Sequence, residues 1–232
     1  MRAVNLCLTF IANRVNIRLK IFNLRAYHLT MPKDKTANHV KLLAAAREEF
    51  LEKSFESASM RSIGIRCGLT AAGIYRHCKD KEDLFCLVVS PAADNLNDWM
   101  ERHIARYADA LRHNEGIFWQ DSWIDMMREI VYPNMEDYYL LLTKSQGTRY
   151  EDYLHELTEK GQNQFLAYLP FLKECGFPAE EIDPLELHLM LTAYSAALFE
   201  PVVHNYSHQD ALRCLKTVEA FFLPGWKNLL GF

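Results

Sequence analysis

What this chain lacks narrows its class first. Its six cysteines (Cys7, Cys67, Cys78, Cys86, Cys175 and Cys214) fall at no paired spacing, and no C-x-x-C occurs. A disulfide framework or a structural zinc site needs such spacing, so the thiols read as buried apolar groups of a reduced, cytoplasmic protein. Nine histidines form no H-E-x-x-H. No glycine-rich phosphate loop or nucleophile–base pair accompanies them, so no metal, cofactor or enzymatic activity is expected. Glycine and proline are scarce, at 9 and 8 of 232 residues, while Leu, Ala, Glu, Met and Phe are plentiful. That balance favours an all-α fold. No apolar run is long enough to cross a bilayer, so a membrane partner is not expected.

An excess of positive charge is also missing, since the formal net charge is −4. Its distribution is uneven. Residues 1–33 carry six basic groups and no acid, residues 34–90 nine basic and eight acidic groups, and residues 91–232 eleven basic and twenty-two acidic groups. The acid load lies in the C-terminal part, so the total does not argue against nucleic acid binding nearer the N-terminus. Residues 1–30 are basic, but Asn5 and Thr9 break their apolar stretch and no clean cleavage site follows. A signal peptide or membrane span is therefore disfavoured. Met31 opens a short polar lead-in and is the expected natural start, with residues 1–30 as translated upstream sequence. A basic arm along DNA phosphates is the alternative.

The most legible block runs from Val40 to Val89. Helix 1 is expected over about Thr36 to Lys53, with Val40, Leu43, Ala46 and Phe50 as its apolar stripe and Phe55 plugging the core. Ser59 is a good N-cap for a second helix, whose apolar positions are Met60, Ile63, Gly64 and Cys67. Gly64 sits where two crossing backbones need a small residue. Gly68 ends that helix in the left-handed conformation, and Thr70 caps a third helix over Ala71–Cys78. Asp80 with Asp83 marks the start of a fourth helix, and Leu84, Phe85 and Val88 close the core. Two short helices joined by a glycine-containing turn make a helix-turn-helix.

The run S-M-R-S-I-G-I-R-C-G-L-T-A-A-G-I-Y-R-H-C-K-D-K-E-D-L resembles the TetR family of bacterial transcriptional regulators. The resemblance implies an N-terminal three-helix DNA-binding domain over residues 31–90 and a helical ligand-binding and dimerisation domain over 91–232. It implies DNA contacts from Ser59, Arg61, Thr70, Ala71, Ala72, Gly73, Tyr75, Arg76, His77, Lys79 and Lys81. Tyr75, His77, Lys79 and Lys81 are placed on phosphates, with Thr70 donating at the start of helix 3. Arg76, Arg61 and the small Ala71–Gly73 face are placed on bases. Ordinary packing of Tyr75 and His77, and phosphate contact by the two arginines, remain open. Four positions depart from the family pattern. Ser54 replaces a glycine, so it is expected at positive φ at a cost of about 1 kcal/mol. Gly64 and Cys67 replace alanines, and Cys78 replaces an aromatic.

Beyond Pro91, which is expected to kink or end helix 4 as a hinge, helical patterns cover about Leu96–Arg112, Ile117–Val131, Met135–Ser145, Tyr150–Cys175, Pro184–Tyr206 and Gln209–Leu223. Asp183, Pro184 and Glu186 supply an N-cap, an N1 proline and an N3 acid. The Pro184 helix is apolar nearly all round and must be buried on more than one side. A homodimer through Leu189, Ala193, Ala196, Leu215, Val218 and Phe222 satisfies it, as the resemblance implies; a wholly intrachain core is the alternative. The middle helices are rich in aromatics and sulfur around the polar run T-K-S-Q-G-T-R-Y-E-D-Y. This is either core plus a solvated turn, or an apolar effector pocket walled by Trp123, Met127 and Tyr139 and anchored by Gln146, Arg149, Glu151 and His155. The functional expectation is a repressor released from a pseudo-palindromic operator by a largely apolar small molecule. A ligand-independent DNA-binding protein whose C-terminal domain docks a protein partner is the other reading.

Overall fold

The structure, a computed structural model, describes residues 37–112, 119–174, 176 and 181–230. Expectations for residues 1–30, Met31 and Cys175 lie outside them. Every regular element among the described residues is helical. In order these are α1 (Ala37–Ser57), α2 (Met60–Cys67), α3 (Ala71–Ile74), α4 (Lys81–Arg112), α5 (Trp119–Met126), a π-helical turn (Met127–Val131), a 3-10 turn (Tyr132–Asn134), α6 (Met135–Thr143), α7 (Tyr153–Glu174), α8 (Pro184–Val203) and α9 (His208–Leu230). Val40–Phe232 forms one unit by its contacts; of the unit before it, only the opening turn of α1 is described.

α1 buries a stripe rotated from the expected one. Leu42, Ala45, Ala46, Glu49 and Phe50 face inward, whereas Leu43 is half-buried and Val40 is 62% exposed. Helical backbone then breaks at Ser54, which holds φ 62° and ψ 169°. That combination is nearly reserved for glycine and costs a serine about 1–3 kcal/mol. The break turns Phe55 into an aromatic cluster with Phe50 and Phe85, at centroid distances of 6.3 and 5.5 Å.

The turns of the helix-turn-helix follow the sequence closely. Ser59 accepts a hydrogen bond from Ser62 N at 3.4 Å, Gly68 has φ 70°, and Thr70 Oγ1 accepts from Gly73 N at 3.1 Å. A β-carbon on Gly64 would lie 2.9 Å from the Leu69 carbonyl oxygen and 3.2 Å from Ile74 Cδ1, so glycine permits the close approach at that crossing. α3 is shorter than expected: Tyr75–His77 form a turn after a single helical turn. Asp80 accepts from Asp83 N, and Asp83 accepts from Lys79 N, both at 2.8 Å. This reciprocal pair opens α4.

Pro91 does not end helix 4. α4 continues through it to Arg112, so the expected break and the separate Leu96–Arg112 helix are absent. Pro91 is exposed while Val89, Ala93, Leu96 and Trp99 are buried around it. An interior proline costs roughly 3 kcal/mol. Burying those side chains returns about 1.5–3 kcal/mol for each large one, which outweighs it. The last helix likewise continues past Pro224 and buries Trp226 against Tyr194, at 6.0 Å between rings. The C-terminal core is tied by Tyr132 OH donating to Leu198 O (2.8 Å) and Thr158 Oγ1 donating to Ser195 Oγ (2.9 Å). Tyr138 OH donates to Ala92 O at 3.1 Å, joining α6 to α4.

Candidate nucleic-acid interface

The candidate DNA contacts sit on α2, α3, the following turn and the first residue of α4. Ser59, Arg61, Thr70, Ala71, Ala72, Tyr75, Arg76 and Lys79 are exposed; Gly73, His77 and Lys81 are half-buried. Tyr75 leaves 54% of its surface in solvent, so its ring and hydroxyl are accessible from outside. Thr70 uses one hydroxyl lone pair on the Gly73 amide, which leaves its hydroxyl hydrogen to donate. Because α3 is one turn long, its helix dipole is small, and phosphate recognition rests on side chains rather than on the dipole.

Lys81 is placed differently from the expected phosphate clamp. Its ammonium donates to the carbonyl oxygens of Glu56 (3.0 Å) and Ala58 (3.1 Å) and lies 4.6 Å from the Phe55 ring centroid. Two of its three donors thus satisfy carbonyls where α1 ends.

Sequence reasoning missed Glu49. Its side chain is wholly buried, yet it accepts from Lys53 Nζ (2.9 Å), Ser62 Oγ (2.8 Å), Arg66 Nε (3.1 Å) and Ser59 N (3.3 Å). Burial alone pushes this carboxyl up, but the Lys53 ammonium, the Ser62 hydroxyl and the Ser59 amide together hold it at about 2. The cluster fixes α2 against α1. It also occupies Arg66, which pairs with Glu48 (3.5 Å) and closely with Glu52. The signal was present: Glu49 falls between Ala46 and Phe50 on the buried stripe, where an acid needs partners. Cys78 and Cys86 are pushed up to about 11, mainly by burial, so both thiols stay protonated and inert.

The candidate effector residues do not converge. Trp123 and Met127 are buried, with Trp123 packed so closely on α7 that a β-carbon on Gly161 would meet its ring at 2.6 Å. Tyr139 is half-buried beneath Lys144 Nζ. Gln146 and Arg149 are exposed, and the Arg149 N–H donates to Glu82 at 3.2 Å. Glu151 accepts from Gly147 N at 2.8 Å within its own turn. His155 pairs with Glu159 at 3.4 Å and meets the His188 ring edge-on. Only Glu151 and His155 of the set line the cavity of about 180 Å³ bounded by Leu142, Tyr150, Tyr153, Leu154 and Val203. That is smaller than the roughly 300–1,000 Å³ of ordinary small-molecule pockets.

The candidate dimer residues divide as well. Leu189, Ala193 and Ala196 are exposed on α8 beside Leu185, which is 77% exposed. Leu215 is instead buried in its own chain, and half-buried Phe222 packs on Tyr194 at 5.0 Å. Val218 is half-buried, and Phe221, which the sequence pattern did not single out, is 75% exposed. On α9 the exposed aromatic is Phe221 rather than the expected Phe222.

A family model described as bacterial regulatory proteins, tetR family, matches residues 42–86. The regulator UidR of Escherichia coli K12, an HTH-type transcriptional regulator, is 29% identical over 102 residues, 44% of this chain and 47% of that protein. The chain thus spans about half the length of the curated relatives it matches. Among solved structures, FadR of Bacillus subtilis in complex with stearoyl-CoA superposes with TM-score 0.51 at 14% identity, over 78% of this chain and 97% of that one. A TetR family transcriptional regulator of Pseudomonas syringae pv. tomato gives 0.50 at 18% identity, over 84% and 98%. These likenesses share the fold. The match to that family model thus falls on the helix-turn-helix, with its Gly68 turn and its Ser59 and Thr70 caps, and this segment is similar to the DNA-binding part of bacterial regulatory proteins of the tetR family.

Proposed function

We propose that this protein is a transcriptional repressor that binds a pseudo-palindromic operator in double-stranded DNA as a homodimer and leaves it when a small apolar molecule binds. The observation that carries the reading is the set of exposed side chains on a rigid, doubly capped turn: Arg61, Thr70, Ala71, Ala72, Tyr75 and Arg76. Arg76 and Arg61 can reach guanine bidentately, the alanines can meet thymine methyls, and Thr70, Tyr75, His77 and Lys79 can hold phosphates. The stripe Leu185, Leu189, Ala193 and Ala196 with Phe221 is an apolar surface that a second copy would cover, and pairing gives two reading units for two half-sites. An apolar effector is supported by the aromatic and methionine content of the middle helices, and FadR of Bacillus subtilis, of the same fold, is held with stearoyl-CoA.

Selection of duplexes from a random pool by the full chain tests the reading. An inverted repeat should emerge, bound in a strongly salt-dependent way. Recovery of no preferred sequence, or of a single unpaired half-site, would contradict it.

A further inference from the structure

α1 holds α6 at both ends. At the start of α6, the Arg47 guanidinium donates to Glu136 at 2.7 Å and pairs closely with Asp137. At its end, the Phe55 N–H donates to the Lys144 carbonyl oxygen at 2.9 Å. That carbonyl is one of the acceptors a helix C-terminus leaves without an intrahelical partner. On a continuous helix the Phe55 N–H would bond Leu51 O instead. It is released because Ser54, in its glycine-like conformation, turns the chain there. The segment after α6 continues the seat. A β-carbon on Gly147 would lie 3.8 Å from the Phe55 ring, and the Arg149 N–H reaches Glu82 in the first turn of α4.

We infer that Arg47 and Ser54 are positioning residues that seat the reading unit on α6, with Ser54 a strained pivot able to pass the Phe55 N–H between Lys144 O and Leu51 O. In the seated state a backbone strain is exchanged for a tertiary hydrogen bond. In the released state Ser54 takes helical angles, and α1 runs straight through to Ser57 as Phe55 leaves Phe50 and Phe85. Strain of this kind persists only where surrounding contacts over-determine it, and here the Arg47 grip, the Lys144 carbonyl and the Lys81 tie to Glu56 and Ala58 do so. The polar run after α6 then carries movement of the core to the reading unit through α1 and the first turn of α4. This assignment of regulation rests on the DNA-binding reading above, but the tether itself does not.

Substitution in the full chain tests it. Ser54→Gly should lower the unfolding equilibrium constant on the order of tenfold, because glycine takes these angles freely. An ordinary helical residue changed to glycine would raise it several-fold instead, and that sign would overturn the pivot. Arg47→Gln should speed exchange of the Phe55 amide on the order of tenfold while the Ile63 amide keeps its rate; equal change at both, or at neither, would overturn the tether. On a selected duplex, Arg47→Gln should lower affinity roughly fivefold or more without altering the slope of log K against log salt, and adding Ser54→Gly should restore most of the loss. Unchanged or raised affinity would overturn the positioning role, as would a slope reduced by about 0.9, which means Arg47 itself meets a phosphate. If no duplex is bound, the DNA reading fails, while the stability sign and the Phe55 exchange still decide the tether.

Discussion

Arg66 Nε donates to the Glu49 carboxylate at 3.1 Å, although that carboxylate has no surface in contact with solvent. The pair joins α1 to α2 within a cluster of ammonium, hydroxyl and amide donors. Glu49→Gln removes the charge while keeping the shape. It should cost about 2 kcal/mol, seen in urea denaturation as a lower midpoint with an unchanged slope.

The same carboxyl sets a pH dependence. Its folded value of about 2 lies below its ordinary 4.5, so the folded state binds fewer protons than the unfolded chain across that interval. The stability it contributes is complete above about pH 4.5 and is lost as pH falls toward 2. Acid titration of unfolding should show this loss in the natural sequence and a shallower one in Glu49→Gln; identical curves would remove Glu49 from the account.

Gly64→Ala sets two effects against each other. Alanine is favoured over glycine in a helix by about 1 kcal/mol. Its β-carbon, however, would meet the Leu69 carbonyl at 2.9 Å and Ile74 Cδ1 at 3.2 Å. Overpacking of this kind costs about 1–3 kcal/mol, so thermal unfolding should report a net loss. A gain would mean that α2 can move away from the turn.

Arg76→Ala should weaken binding to a selected duplex more than to random DNA. Lys79→Ala should weaken both alike and reduce the salt slope by about 0.9. Arg66→Gln should leave that slope unchanged, because Arg66 is committed to Glu48, Glu49 and Glu52. Titrations at several salt concentrations separate the three.

Leu189→Glu and Phe221→Glu place charge on surface that is 67% and 75% exposed in the single chain. Each should leave the fold intact by circular dichroism and shift the protein to monomer in sedimentation. A dimer that survives both changes would put the interface elsewhere.

Local chemistry was the legible part. Ser59, Gly68, Thr70, Asp80 and Asp183 each act as the cap or turn their side chains dictate, while the glycine-like strain at Ser54 was legible only from the family resemblance, which has a glycine there. Long-range placement was not legible. Pro91 signalled a break, but burial of Val89, Ala93, Leu96 and Trp99 outweighs it. Gln146, Arg149 and Glu151 looked like anchors because polar residues flanked by apolar helices suit a pocket. The Arg149 amide goes instead to Glu82, distant in sequence, and the Glu151 carboxylate to the Gly147 amide of its own turn, while Gln146 is exposed. Lys81 and Arg66 show the same limit: a basic residue in a DNA-binding motif carries no mark of an internal carbonyl or carboxylate awaiting it.

The central claim is that paired copies of the Ser59–Lys79 segment read DNA. A footprint of the full chain on a duplex it has selected tests that most directly. The account predicts two protected half-sites related by inversion, with centres about one helical turn or a multiple of it apart, and loss of that protection with Arg76→Ala. A single protected half-site, or protection unchanged by Arg76→Ala, would contradict it.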